Sequence, residues 1–320
     1  MIIVTNRNLQ EQESPDKKFG ENFNENGPTE LRVAEANKID GQWQVEIFPD
    51  QLSYQGTEMP ASEVIFLREQ EQMKVKKQNC LFYVHGFNTS FKDALDIGYS
   101  LETNYNVKVL LFTWPSNGSE SRRILDRTRG ILSYKSDKRE AAESIGGLDR
   151  CFDVLRIYLD KYRDLACNQS FNLACHSMGN YLLEQLVRSD LYSNETIFFD
   201  NIGLLAADVN NQGHEEWVDR LAYRKRLYVT INEDDFALAA SRAKFGEQQL
   251  ARLGHWIRNL TAEKPFYIDL TDQVGTSHSY FNDESLQQAP IRKVFDNMFN
   301  GLRAERDLVF NSSLGVYQVP

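Results

Sequence analysis

Cysteine is scarce: four residues in 320. Cys80, Cys151, Cys167 and Cys175 form neither a C-x-x-C pair nor a zinc-type spacing, which excludes a disulfide framework and a zinc ribbon and leaves buried, reduced thiols as the expectation. Positive charge is also short, with 36 Lys and Arg against 46 Asp and Glu, a net charge of -10 and a pI near 5.1, so general nucleic-acid binding is not expected. No apolar run approaches membrane-spanning length. The start MIIVTNRNLQEQE turns polar after four residues, so neither a span nor a secretory core is expected, and the cytoplasm is the expected location. No G-x-x-x-x-G-K-[ST] phosphate loop occurs, and the five histidines lack a paired ligand spacing. Neither a metal nor a cofactor is called for. Repeats and low-complexity tracts are absent as well.

What is present suits one large globular core: 41% hydrophobic and 12% aromatic residues in 37.0 kDa. Residues 1–75 read as a β-rich extension packed on the core, with short strands at Ile2 to Thr5, Leu31 to Ala34, Trp43 to Phe48 and Val64 to Leu67. The polar stretch Gln10 to Thr29 reads as an exposed loop. Arg7 in TNR reads first as a surface or structural ion-pair residue, with a functional arginine as the alternative.

From residue 76 to 320 strand-like and helix-like patterns alternate. Strands are expected from Cys80 into VHGFN, at Val107 to Thr113, around Phe171 to Cys175, at Ile202 to Ala206, at Arg226 to Ile231 and at Phe266 to Leu270. Helices are expected where Phe91 to Leu101, Leu148 to Tyr162, Leu182 to Val187 and Val294 to Leu302 place apolar residues on one face. This order implies an α/β fold with a mostly parallel central sheet flanked by helices, antiparallel strands at its N-terminal side, and functional loops at the strands' carboxyl ends.

One stretch, SFNLACHSMGNYLLEQLVR from Ser170 to Arg188, changes from strand to helix at Ser177. A serine at a tight strand-to-helix turn is a nucleophile elbow, and it needs small residues two before and two after it. Gly179 meets this requirement; Cys175 stands where glycine is preferred. The helix starting at Met178 directs its unpaired N–H groups and positive dipole end at the serine, favouring an oxyanion there. Helix N-capping by Ser177 is the plain alternative.

In an elbow-type fold the partners follow in the order serine, acid, histidine. His85 precedes Ser177, His176 adjoins it, His214 comes before the acid's strand, and His255 in RLGHWIRNL reads as packed in a helix. His278 in GTSHSYF, beyond the strand FYIDL, is left as the general base. LYVTINEDDFALAAS offers the acid, with Asp235 preferred and Asp234 in reserve, helix capping being the alternative job of either. Asp208 in LLAADVN ranks third as acid, with site shaping or loop capping its first reading. The oxyanion donors are expected to be the Met178 and Phe87 amides, with Gly86 permitting close backbone approach.

These residues resemble the bacterial alpha/beta hydrolases catalogued as domain of unknown function 900. The resemblance rests on VHGFNTSFKDAL, LFTWPS, LACHSMGNYLL, DDFALAAS and TSHSYF, with TNR similar to that group's start. It implies an alpha/beta-hydrolase core with Ser177 as nucleophile, His278 as base and Asp235 as acid. Two departures are Cys175 and the absence of glycine directly before His278.

The expected chemistry is cleavage of a small-molecule or lipid-like carboxylic ester or thioester through an acyl-enzyme. Substrate choice is assigned to Asn210–Arg224, too short for a cap domain and so implying an open site, and to Ser116–Lys138. The latter carries Arg122, Arg123, Arg127, Arg129, Lys135 and Lys138 and reads first as a solvated face. One alternative is acyl transfer to an alcohol or amine. Another is a binding module presenting Trp114, Tyr134 and Trp217.

Overall fold

The computed structural model of the chain describes residues 1–116, 127–163, 168–242 and 250–320, with the backbone alone for 127–133. Arg122, Arg123 and Cys167 of the sequence reading lie outside the described residues. In the N-terminal part β1 (Ile2–Thr5) enters the main sheet, β2 (Arg7–Leu9) and β3 (Phe19–Phe23) pair as a ribbon, and β4 (Arg32–Ile39) and β5 (Gln42–Ile47) extend the sheet. A second ribbon, β6 (Gln51–Tyr54) and β7 (Thr57–Pro60), leads into α1 (Ala61–Lys76). Val64 to Leu67, expected as a strand, lies inside α1. Its four apolar residues are continued by the helix formers of REQEQMKVK, and Val64, Ile65, Phe66 and Met73 are buried together.

Strand and helix then alternate: β8 (Asn79–Val84), α2 (Phe91–Tyr105), β9 (Val107–Thr113), α3 (Arg127–Glu143), α4 (Ile145–Lys161), β10 (Phe171–His176) and α5 (Met178–Arg188). β11 (Asn201–Leu205), α6 (Glu215–Val218), β12 (Arg226–Ile231), α7 (Phe236–Arg242), β13 (Phe266–Asp269), α8 (Thr271–Val274) and α9 (Ala289–Phe299) follow, and β14 (Val309–Asn311) and β15 (Val316–Gln318) close the chain. The main sheet has the order β14-β15-β13-β12-β11-β10-β8-β9-β1-β4-β5. Every neighbouring pair from β15 to β1 is parallel, and only the margins, β14 and β4 with β5, pair antiparallel. This is the expected mostly parallel sheet with antiparallel N-terminal strands.

Alternation along the strands builds two cores. On β8, Cys80, Phe82 and Val84 join the cluster under α1, α4 and α5, where Phe66, Phe152 and Leu182 meet them. Leu81 and Tyr83 join the opposite cluster under α2 and α9, with Leu95, Phe295 and Met298. A capping box starts α2: Ser90 accepts from the Asp93 amide at 3.1 Å and Asp93 from the Ser90 amide at 3.3 Å.

Three further expectations are corrected. The helix foreseen around His255 is a single 3-10 turn at Leu253–His255; Gly254 lowers its helix propensity and Asn259 is left-handed at φ 57°, although His255 is buried as expected. The closing helix ends at Phe299, which leaves Leu302 54% exposed. Trp114, Tyr134 and Trp217, offered as surface aromatics, are all buried. No helix among the described residues is long and apolar enough to cross a membrane.

Candidate active site

β10 lies between β8 and β11 in the middle of the parallel sheet, so the turn at its carboxyl end sits where loops converge from both sides. Ser177 occupies that turn with φ 53° and ψ -121°, a conformation that is costly for a residue with a Cβ. The surroundings hold it there. The Ser177 amide donates to Leu205 O at 3.0 Å, and its carbonyl accepts from the Asp208 and Asn180 amides at 3.3 and 3.0 Å. The buried Asn180 side chain donates to three carbonyls, Cys175 O at 2.9 Å and Ser177 O and Leu205 O at 3.1 Å each.

Two glycines permit this packing. A Cβ on Gly179 would stand 2.7 Å from both the Val84 and His85 carbonyl oxygens, so α5 approaches the end of β8 only with glycine there. A Cβ on Gly86 would stand 2.7 Å from Ser177 Cβ and 3.3 Å from its Oγ. Cys175 fits as a buried strand residue paired with Val84 and Leu204, and burial pushes its thiol pKa up.

The acid and histidine loops meet beside the elbow. Asp235 is fully buried, and its Oδ2 lies 2.7 Å from His278 Nδ1, while its Oδ1 accepts from the Leu238 amide at 3.0 Å. Capping and carboxylate–imidazole contact are thus both done by Asp235; Asp234 is exposed. Asn232 ties the loops together, its side-chain amide donating to Gly275 O and Ser277 O at 2.8 Å each. His176 Nε2 bonds the His278 carbonyl at 3.0 Å and the two rings are 4.7 Å apart, which brings the histidine loop against the residue next to Ser177. Burial, then the neighbouring His278, holds the His176 pKa well below its ordinary value. A neutral ring donates from Nε2.

The loop after β8 runs from His85 to Ser90 and passes the serine at Gly86. Asn88 is left-handed at φ 55° and its amide donates to Asp137 Oδ2 at 3.0 Å. Ser116 donates to the same carboxylate oxygen at 2.8 Å and accepts from the Thr89 amide at 3.1 Å. His85 is fully buried and stacked on Trp114.

Asp208 stands at the end of β11 and belongs to a different network. Its Oδ1 accepts from Ser241 at 2.7 Å and pairs with Arg252 at 3.0 Å, and its Oδ2 accepts from Tyr134 at 3.0 Å. The Tyr134 ring meets that of Phe87 edge-on at 5.6 Å. Asp208 therefore shapes the wall between α3, α7 and the elbow, and Asp235 is the carboxylate beside His278. Asn210–Arg224, foreseen as a substrate-selecting segment, is anchored in the core by a third of its residues: Asn211, His214, Trp217, Val218 and Leu221 are buried, with His214 bonded to Tyr267 at 2.6 Å. Ser177 itself is buried, with 6% exposure.

The structure therefore pairs Asp235 with His278, ties His278 through its carbonyl to His176 beside the elbow, sets Gly86 against Ser177, places Met178 and Phe87 next to these in the chain, and leaves Asp234 exposed. Sequence reasoning gave no role to Asn180, Asn232, Thr113, Ser116 and Asp137, and weighed His176 only as a base, not as the tie to the histidine loop. Of these only Asn180 carried a usable signal, an amide three residues after the serine on a helix whose other early residues are apolar.

The family model described as alpha/beta hydrolase of unknown function (DUF900) matches residues 66–267. That span contains Gly86, Ser177 and Asp235 and stops short of His278. Among solved structures the chain is similar to the Francisella virulence factor BioJ, at 11% identity over 83% of each chain with a TM-score of 0.35. It is also similar to a YdeN-like hydrolase of Pectobacterium atrosepticum, at 14% identity over 73% of this chain and 99% of that one with a TM-score of 0.28. No curated protein matches the chain.

Proposed function

Because the chain belongs to the DUF900 family of alpha/beta hydrolases, we propose that it is a serine hydrolase that cleaves a carboxylic ester or thioester through an acyl-enzyme. The observation that carries this reading is the 2.7 Å contact of His278 with the buried Asp235, docked through His176 against a serine at positive φ.

In the proposed cycle His278 Nε2 takes the proton of Ser177 Oγ as that oxygen bonds to the substrate carbonyl carbon. The carbonyl π electrons move to oxygen, and the Phe87 and Met178 amides donate to the oxyanion. Collapse restores the carbonyl and breaks the ester or thioester bond; the leaving oxygen or sulfur receives the proton from His278. Water then gives His278 a proton as it adds to the acyl carbon. A second collapse returns the proton to Ser177 and releases the acid. Asp235 holds the Nδ1–H tautomer and offsets the imidazolium charge throughout.

The test is labelling by a fluorophosphonate, followed by an ester and thioester panel. Wild-type chain that is labelled and turns over substrate, with both signals lost in Ser177→Ala and His278→Ala, is the expected result. Folded wild-type chain that takes no label and hydrolyses nothing in the panel overturns the reading.

A further inference from the structure

Among the buried charges that the proposed cycle does not use, one is a fully buried cation close to the loop beside Ser177. Arg7 on β2 is fully buried, yet no carboxylate among the described residues forms an ion pair with it. Its guanidinium is spent on neutral oxygens instead: Nε donates to Thr113 Oγ1 at 2.9 Å, Nη1 to Gly20 O at 3.0 Å and Nη2 to Thr89 O at 2.8 Å. Burying a cation with no carboxylate in direct contact is costly, and desolvation, only partly offset by the more distant Glu21, Asp137, Glu140 and Asp93, pulls this group down to about 10. The ion pair anticipated from sequence is not what holds it.

The bonds continue from Arg7 to the loop beside Ser177. His85 Nδ1 lies 2.9 Å from Gly86 O, and a carbonyl only accepts, so Nδ1 carries a proton. The ring is fully buried and neutral, and Nε2 therefore accepts, from Thr113 Oγ1 at 3.0 Å and from the Trp114 amide at 3.3 Å. The Thr113 hydroxyl is polarised in this sense because its oxygen already accepts from Arg7. Thr89 Oγ1 shares its one proton between Gly86 O at 3.2 Å and Phe87 O at 3.3 Å, so it bonds both peptides flanking the Phe87 residue, and Thr89 is itself anchored by Arg7 through its carbonyl. The Gly86 carbonyl and the Phe87 N–H share one planar trans peptide and face opposite ways. Whatever fixes the first fixes the second.

We propose that Arg7 is a positioning residue for the oxyanion hole: through Thr113 and His85, and through Thr89, it sets the direction of the Phe87 N–H. The proposal rests on the serine-hydrolase reading above. It also makes the N-terminal β2 ribbon part of the apparatus that supports catalysis.

The experiment compares Thr113→Val with Thr113→Ser in the full chain, on the best ester of the panel, with Arg7→Lys as a third variant and thermal melts as the folding control. Thr113→Val keeps the shape and removes the hydroxyl. Its kcat is expected to fall by about 10- to 100-fold at unchanged KM, because the hole acts on the transition state alone. Thr113→Ser is expected to stay within about threefold of wild type, and Arg7→Lys, which keeps the charge but loses the fork, to fall with Thr113→Val. Thr113→Val with wild-type kcat overturns the proposal, as does an equal loss in both threonine variants. Those results leave the hydrolase reading standing, whereas an inert wild-type chain removes both.

Discussion

His278 Nδ1 and Asp235 Oδ2 stand 2.7 Å apart although 43 positions separate them, and they reach each other only because β12 and β13 are parallel neighbours. The adjacent Asp234 is exposed. Asp235→Asn is expected to lower kcat on the order of 10⁴-fold by favouring the wrong imidazole tautomer, the size of effect seen for this change in a serine protease. Asp234→Asn is expected to leave kcat within about twofold, as for a surface position. Steady-state rates on one ester, with circular dichroism to confirm folding, decide between the two carboxylates.

Gly86→Ala probes the approach of the loop to the elbow. The added methyl meets Ser177 Cβ at 2.7 Å and the His176 carbonyl at 3.1 Å, neither of them the far end of a flexible chain. A displacement of the serine or the loop by a fraction of an ångström is expected to cost about 100-fold in kcat/KM. Equal rates for the variant and wild type would show that the loop lies elsewhere during turnover.

Asn180→Ala removes the donor shared by three carbonyls around Ser177 and leaves buried acceptors unpaired. Urea unfolding is expected to show a loss of about 1–3 kcal/mol. Asn180→Asp keeps the shape but sets a carboxylate against the same carbonyls, so it is expected to be the less stable of the two. A reversed order sinks the clamp interpretation.

Acid is expected to weaken the fold through its buried histidines, His85 and His176 foremost, with His214 and His255 also held below the ordinary value by burial. Burial, then Arg7, pushes His85 down to about 3, and burial, then His278, holds His176 well below the ordinary 6.5. Below pH 6.5 the unfolded chain binds these protons and the folded chain does not. Their contribution is therefore complete above that pH and lost as pH falls, for His85 down to about 3, at about 1.4 kcal/mol per pH unit for each. Urea midpoints at pH 7.5 and 5.5 measure the slope, and His85→Asn, which retains a donor for Gly86 O, is expected to flatten it. An unchanged slope in that variant removes His85 from the account.

Much of the fold could be read in advance wherever a pattern was long enough to have one period. Val107 to Thr113 and Arg226 to Ile231 are strands with the limits read from sequence, and Leu182, Leu183, Leu186 and Val187 lie on the buried face of α5 as their spacing required. Val64 to Leu67 failed because four apolar residues have no period, and the helical continuation that decides them is polar. Arg7, Thr113 and Asp137 were unreadable for another reason. Their partners lie 106, 28 and 49 positions away, and nothing local marks a buried polar residue whose partner is set by strand order. Asp235 and His278 were easier, since chain order and loop position narrow the choice without knowledge of side-chain contacts.

The placement of β1 sets a timetable for synthesis. Ile3 pairs with Ala34 on one side but with Leu111 on the other, and Thr113 is both the neighbour of Thr5 and the acceptor for Arg7. At 5–20 residues per second, roughly 5 to 20 seconds pass between emergence of the apolar IIVT segment and that of its parallel partner. During that interval one edge of β1 has only water, a chaperone or another nascent chain to bond. Slowed translation before residue 113 therefore lengthens the time for which this strand edge is open to pairing with another chain.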